Sequence, residues 1–469
     1  MDHVPNLLKQ PRPKSPTTFL AASTAGAAAA PASARGLGLE RGAARTTPRS
    51  NVDLADRRTA IFAVAAAVAG RLLAFAVAFS SNYWLGARLR HNPLAASSDH
   101  MLDHQTLGFL QAAWRHFDGV WFARIAEHGY GLKRAAFFPL YPAAMRAVSA
   151  VVGKTDLAGI IVSTVCYAAA LVILYRLVKE EFDARTALWA VVLLSFAPTS
   201  FFFQAVYSES LFLFLTVASF AAGRKGHWLL AGAAGLLAAL TRSAGLILVV
   251  PLAWMWLEQR RGRAIALPGG AARPPLLTDR RAKVLSLGWL LLVPAGLGLF
   301  MAYTLVRFHN ALLFIAAQHY WHRKLSFPGV AVVDGARAAI RSVRVIVARP
   351  DVFFDVARLP FHDQWLTIGN LTAFLALLFA AALLVVCWRR LPASYTVFAI
   401  AALLLPLSYP THSTPLLSLP RFVLVDFPLF IALAVVLVKR PVARWAVLVA
   451  MAAGLILLTT TFANGMWVA

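Results

Sequence analysis

"LTIGNLTAFLALLFAAALLVVCWRRLP", residues 366–392, decides the fold. Positions 366–387 hold no Asp, Glu, Lys or Arg. At about 1.5 Å of helical rise per residue, such a run is long enough to cross the roughly 30 Å hydrocarbon core of a bilayer. It ends in "CWRRLP", an interfacial Trp beside two arginines, the signature of a helix end at a cytoplasmic surface. The rest of the sequence follows the same pattern. Of 469 residues 59% are hydrophobic and 14% charged, where soluble domains carry about 25% charged residues. Mean hydropathy is +0.67. Further apolar runs lie near 59–79, 137–152, 157–176, 186–203, 207–222, 227–240, 243–257, 284–306, 393–409, 421–438 and 443–462. The chain reads as an all-α polytopic membrane protein of about 11–12 transmembrane or re-entrant helices. A β-barrel would show short alternating segments instead.

The net charge is +25. In a soluble protein this would suggest nucleic acid as a partner. Here the basic residues collect between apolar runs, where they face anionic lipid, so no nucleic-acid partner is expected. Cys166 and Cys387 both fall in apolar runs, which argues against a disulfide framework and a zinc site. Residues 1–58 are rich in Ala, Pro, Ser and Thr, without hydrophobic periodicity, and carry nine Lys/Arg against four Asp/Glu. They read as a disordered cytoplasmic tail without a signal-peptide pattern, preceding a membrane domain over 59–469.

Basic connectors orient the spans. "GRKGH" (223–227), "KRPVAR" (439–444) and the loop 258–283, with seven Lys/Arg, read as cytoplasmic. This places 80–135, 203–210, 241–245, 307–364 and 409–421 outside. Counting from both ends agrees only if "FFPLYPAAMRAVSAVV" (137–152), interrupted by Pro139 and Pro142, is re-entrant or partly interfacial. In the loop 307–364, Arg337, Arg341 and Arg344 share one helical face, with Ile340, Val343 and Val347 largely elsewhere. That reads either as an interfacial amphipathic helix or as a helix packed on the membrane domain with solvated arginines.

Several polar residues fall on this outer side: Asp118, Glu127 and His128, then Tyr207 and Glu209, then Arg242, His319, His322 and Arg323, and finally His412 and Arg421. In "AWRHFDGVWFARIAEHGYG" (113–131), Asp118 sits in a stripe of Trp114, Phe117, Trp121 and Ile125, one face of a continuous helix. A carboxylate there is costly unless paired or used; a helix cap or a pair with Arg115 or Arg124 is the alternative to chemistry. Glu209 opens an apolar run, where the helix dipole favours a carboxylate in any case. Arg242 interrupts "LLAALTRSAGLILVVP", and its planar fork suits phosphate, although it also marks a hairpin turn. His319 and His322 in "AQHYWHR" have a metal-like spacing but no carboxylate to complete a set. No Walker motif and no GxGxxG after a strand is present. A lipid-linked sugar donor therefore fits better than a sugar nucleotide.

"HFDGVWFARIAEHGYG", "AAFFPLYPAAMR", "APTSFFFQAVYSESLF" and "LTRSAGLILVVPL", in that order, resemble the PIG-V family of mannosyltransferases, relatives of the second mannosyltransferase of GPI-anchor assembly. The likeness runs from about 60 to 430, with "SLPRF" (418–422) as a looser element. It implies a GT-C glycosyltransferase with a catalytic acid in the first external loop and a polyprenyl-phosphate sugar, usually mannose, as donor. It also implies inversion at the anomeric carbon. Asp118 matches the acidic position; the family usually has Trp-Asp there, and this chain has Phe117-Asp118. The Ala/Arg-rich composition points to a bacterial member, with a lipid-linked or glycan acceptor other than GPI. The expected location is the inner membrane with the site on the external face, or the ER membrane in a eukaryote.

Asp118 is then expected to act as general base on an acceptor hydroxyl, through an oxocarbenium-like transition state. Arg242, with Arg421 or Arg323 beside it, would stabilise the leaving phosphate, and Tyr207, Glu209 and His319 are further substrate-binding candidates. The lipid chain would lie near "FFPLYP". No cofactor is expected, and arginines make metal dispensable. Two other readings compete: a transporter or lipid flippase, which should show inverted repeats that the sequence does not display, and a GT-C enzyme using another sugar such as a pentose.

Overall fold

The computed structural model describes residues 49–84, 113–261, 265–266, 272–273, 280–349 and 361–468. Residues 1–48 of the basic tail and 85–112, half of the predicted first external loop 80–135, lie outside them; the last ten residues read as disordered tail, 49–58, instead open the first helix. The described chain is helical, apart from a two-residue antiparallel pairing of Ile265–Ala266 with Ala272–Arg273 in the basic loop. The all-α reading is borne out, and the chain is a multi-pass membrane protein.

The first half comprises α1 (Arg49–Trp84), α2 (Asp118–His128), α3 (Leu140–Val152), α4 (Thr155–Glu181), α5 (Ala184–Ser195), α6 (Glu209–Arg224), α7 (Trp228–Thr241) and α8 (Val249–Arg260). The second comprises α9 (Arg280–Leu290), α10 (Leu292–Phe308), α11 (Pro328–Ala348), α12 (Phe361–Arg390), α13 (Ala393–Leu407), α14 (Leu419–Val425), α15 (Phe427–Leu437) and α16 (Pro441–Ala463). Five segments are long and apolar enough to span: 57–81, 155–181, 284–308, 366–390 and 441–463. The predicted run 421–438 is a bent pair, α14 and α15 meeting at 67°. Pro428, early in α15, cannot continue the hydrogen-bond ladder of α14, and so breaks the helix. The runs at 137–152, 186–203, 227–240 and 393–409 become the shorter apolar helices α3, α5, α7 and α13.

Small residues set how closely these helices approach. A Cβ added at Gly232 would run into the Trp289 carbonyl, and one at Gly296 into the Leu236 carbonyl. Helix α7 is thereby laid directly on α9 and α10, as small residues permit between membrane helices. Helix α11 shows three stripes. Ala331, Gly335, Ala338, Ala339 and Ser342 are buried, whereas Val332, Ile340, Val343 and Val347 are exposed beside exposed Arg337, Arg341 and Arg344.

A short 3-10 turn, Ser200–Phe203, links α5 to α6. It is tied down by Arg71 of α1, whose guanidinium donates to the Ser195 and Ser200 carbonyls and, over 2.7 Å, to Ser200 Oγ. Val206 N–H donates to the Trp114 carbonyl (3.0 Å) and Tyr207 Oη to the His116 carbonyl (3.0 Å). The segment Val206–Tyr207 therefore clamps the irregular stretch that leads into Asp118. Ser163 Oγ, which donates to the Ala205 carbonyl (2.9 Å), anchors the same loop to α4.

Candidate functional site

The predicted continuous helix through Trp114 and Phe117 is not formed. Helix α2 begins at Asp118 itself, and Phe117 precedes it with φ 55°, a left-handed backbone that a bulky residue rarely adopts. The clamp on Trp114 and His116 keeps the preceding segment out of the helix, so Asp118 occupies a first helical turn, where the dipole favours its charge. Gly119 suits this close approach: a Cβ there would lie 3.2 Å from the Val206 carbonyl oxygen.

Asp118 does not pair with Arg115 or Arg124. Arg115 binds Asp156 at 2.8 Å, and the Arg124 guanidinium lies over the Trp121 ring at 5.6 Å. The partner of Asp118 is Arg421, whose Nη1 donates to Asp118 Oδ2 at 2.6 Å. Arg421 reaches it from α14, across 303 positions of sequence. Its Nε lies 3.7 Å from Glu209 Oε1, and the same Glu209 oxygen accepts from Arg242 Nη1 at 2.6 Å. The four charges thus alternate, Asp118–Arg421–Glu209–Arg242. Burial in that network is steep: the side chains of Glu209 and Arg421 are 1% and 6% exposed, whereas Arg242 and Asp118 keep 14% and 18%. The Arg421 guanidinium is further surrounded by the rings of Phe202, Tyr207 and Trp467, 5.3–5.8 Å away.

The network lines a cavity of about 660 Å³. Arg323 also lines it and donates to Ser418 Oγ at 3.1 Å. Desolvation first, and then the Arg421 charge, push the Arg323 pKa down to about 10. Counted together, three arginines face two carboxylates, an excess of one positive charge before the cavity histidines His322 and His412 are considered. An aromatic cluster of Trp121, Phe137 and Trp321, with ring centroids 5.6–6.3 Å apart, also lines the cavity.

Of the site residues read from the sequence, Asp118, Glu209, Arg242, Arg323 and Arg421 converge on this cavity. Tyr207 stands behind it, fully buried, and touches the site through Arg421; burial pushes its phenol pKa well above the usual value. His319 is not on the cavity wall; His322 is. His319 lies within the 3-10 turn Ala317–Trp321, and His322 follows it with a left-handed backbone (φ 52°). Among the described residues no three His, Cys, Asp or Glu side chains group as metal ligands. Cys166 and Cys387 are free thiols.

Ser418 and Trp467 are among the cavity residues that the sequence reading did not assign. Ser418 carries a left-handed backbone, which residue type alone does not reveal. Trp467 follows the last apolar run and looks like an interfacial anchor. The chain instead turns back at Gly465 (φ 77°), and the Trp467 ring meets Phe117 edge-to-face at 4.8 Å.

Residues 62–258 match the family model described as Mannosyltransferase (PIG-V). GPI mannosyltransferase 2 of Drosophila pseudoobscura pseudoobscura is 30% identical over 112 residues, 21% of this chain and 25% of that protein. GPI mannosyltransferase pigv-1 of Caenorhabditis elegans is 31% identical over 170 residues, 30% of this chain and 25% of that protein. The matched stretches thus span about a quarter of these relatives. Among solved structures, the apo oligosaccharyltransferase of Archaeoglobus fulgidus aligns with a TM-score of 0.39 at 13% identity, covering 77% of this chain and 52% of that one. The likeness to PIG-V mannosyltransferases read from the motifs is therefore shown over 62–258, the stretch that holds Asp118, Tyr207, Glu209 and Arg242. Arg323 and Arg421 come from outside it.

Proposed function

We propose that this chain is a GT-C-type membrane glycosyltransferase. It moves a mannosyl residue from a polyprenyl-phosphate donor to a lipid-linked or glycan acceptor at the external face of the membrane, with inversion. The observation that carries this reading is the Asp118–Arg421 contact on a cavity that also holds Arg242 and Arg323. A base and an anion-binding wall are the two groups that transfer from a sugar phosphate needs.

In this reaction an acceptor hydroxyl attacks the anomeric carbon while the bond from that carbon to the phosphate oxygen breaks. The hydroxyl proton passes to Asp118 and the electron pair leaves with the phosphate. Oδ2 of Asp118 is held by Arg421, so Oδ1 is the oxygen that receives the proton. A phosphate seated on Arg421 competes with Asp118 for the same guanidinium. Donor binding thereby frees the carboxylate to act as base. The leaving phosphate needs charge stabilisation rather than protonation, which pre-placed arginines provide without metal. Glu209 holds Arg242 and Arg421 in position, and the aromatic cluster keeps water from the oxocarbenium-like centre.

Incubating membranes containing the protein with radiolabelled polyprenyl-phosphate mannose tests the reading. Label is expected to move into a new glycolipid or glycan. Label carried across the bilayer on an unchanged donor would instead identify a flippase, and label passed only from a pentosyl donor would change the sugar.

A further inference from the structure

Ser418 is the residue before α14, a position where a serine hydroxyl ordinarily accepts a hydrogen bond from the helix's first turn. Its side chain makes no such cap. Its Oγ instead accepts from two guanidinium groups, Arg421 Nη2 at 2.9 Å and Arg323 Nη2 at 3.1 Å. The backbone adopts φ 67°, unfavourable for serine, to present that hydroxyl. One oxygen therefore holds two like charges side by side at the cavity wall. Both lone pairs of Oγ are used, so the hydroxyl's remaining capacity is to donate. Among the described residues it has no acceptor.

The neighbouring arginine is differently placed. Arg242 is matched by Glu209 at 2.6 Å. Arg421 is matched by Asp118. Arg323 has no carboxylate within ion-pair distance among the described residues, and Ser418 is its hydrogen-bond partner. The unmatched charge of the cavity therefore sits on Arg323.

We propose that Arg323, Ser418 and Arg421 form the clamp that takes the phosphate of a lipid phosphate, with Ser418 as its positioning residue and Arg242 as a neutralised part of the wall. The two guanidiniums donate to phosphate oxygens and the Ser418 hydroxyl donates to a third acceptor position. The anion relieves the repulsion between Arg323 and Arg421. This rests on the donor reading above, and narrows it to particular residues.

Binding measured without any sugar separates the two. The full chain in nanodiscs is titrated with farnesyl phosphate and with farnesol, alongside Ser418→Gly and Arg323→Gln. Glycine adopts φ 67° freely, so Ser418→Gly should keep or raise the melting temperature. Both variants are expected to lose about tenfold or more in farnesyl phosphate affinity, the loss expected for a hydrogen bond to a charged group, and nothing in farnesol affinity. Arg242→Gln should lose less than either. Wild-type phosphate affinity in both clamp variants, or a larger loss in Arg242→Gln, overturns the clamp. A wild-type protein that binds farnesol as tightly as farnesyl phosphate overturns both the clamp and the donor reading. Clamp variants that lose phosphate binding in a protein that never transfers mannose uphold the clamp and overturn the donor reading alone.

Discussion

Arg421 Nη1 lies 2.6 Å from Asp118 Oδ2, although 303 positions separate them in the chain. This contact joins the start of α2 to the short helix α14. Removing one partner strands the other. Arg421→Met leaves Asp118, 18% exposed, as an uncompensated carboxylate, while Glu209 keeps its partner Arg242. Breaking such a pair costs about 3–5 kcal/mol. A large fall in melting temperature is therefore expected by differential scanning fluorimetry, and an unchanged value would mean that the pair contributes nothing to stability.

A second ion pair gives the contrast. Glu181 and Arg224 bind at 2.6 Å with both side chains fully buried, between the ends of α4 and α6 and away from the cavity. Glu181→Leu should destabilise the protein by about 3–5 kcal/mol, whereas the double variant with Arg224→Met should recover most of that loss. Transfer per folded molecule should remain at the wild-type level in the double variant. A changed KM for donor would show that this pair reaches the site.

Gly119→Ala probes how tightly the entry to α2 is built. The new methyl lies 3.2 Å from the Val206 carbonyl, so the helix start must shift by a few tenths of an ångström. Misplacement of about 1 Å can cost roughly a hundredfold in rate; a loss of about tenfold in kcat is expected, with a small change in melting temperature. Loss confined to KM would place the effect on binding rather than on Asp118.

Alkaline pH should act through Arg323. Its pKa is lowered, to about 10, so the cation is present below that pH and is lost as pH rises through it. Affinity for farnesyl phosphate should be flat from about pH 7.5 to 9 and fall near 10, as read by titration in nanodiscs. Arg323→Gln should abolish the fall. A decline centred near pH 6–7 would point to a histidine instead.

How much of this was legible beforehand follows from what each residue advertises locally. Membrane class was plain, because an apolar run of 22 residues such as 366–387 admits few other readings. Asp118, Glu209 and Arg242 stood out because charge within apolar sequence is costly, and Arg323 and Arg421 as polar residues on the same predicted side. Their pairing was not legible: "SLPRF" and "HFDGV" carry nothing in their spacing that says Arg421 meets Asp118. The helix start was misread because the apolar period continues back through Phe117 and Trp114. The tertiary clamp by Val206 and Tyr207, which overrides that period, comes from elsewhere in the chain. Ser418 and Trp467 were invisible for a related reason. A left-handed serine and a tryptophan folded back at Gly465 are backbone events, and residue type alone does not encode them.

The most direct test is the fate of label from polyprenyl-phosphate mannose with purified wild-type and Asp118→Asn proteins, analysed for product amount and anomeric configuration. The wild type should give an inverted glycoside. Asp118→Asn, folded and still binding farnesyl phosphate, should transfer about a hundred- to ten-thousand-fold more slowly, as expected for loss of a general base. Near-normal turnover by Asp118→Asn, or a product with retained configuration, would contradict the account.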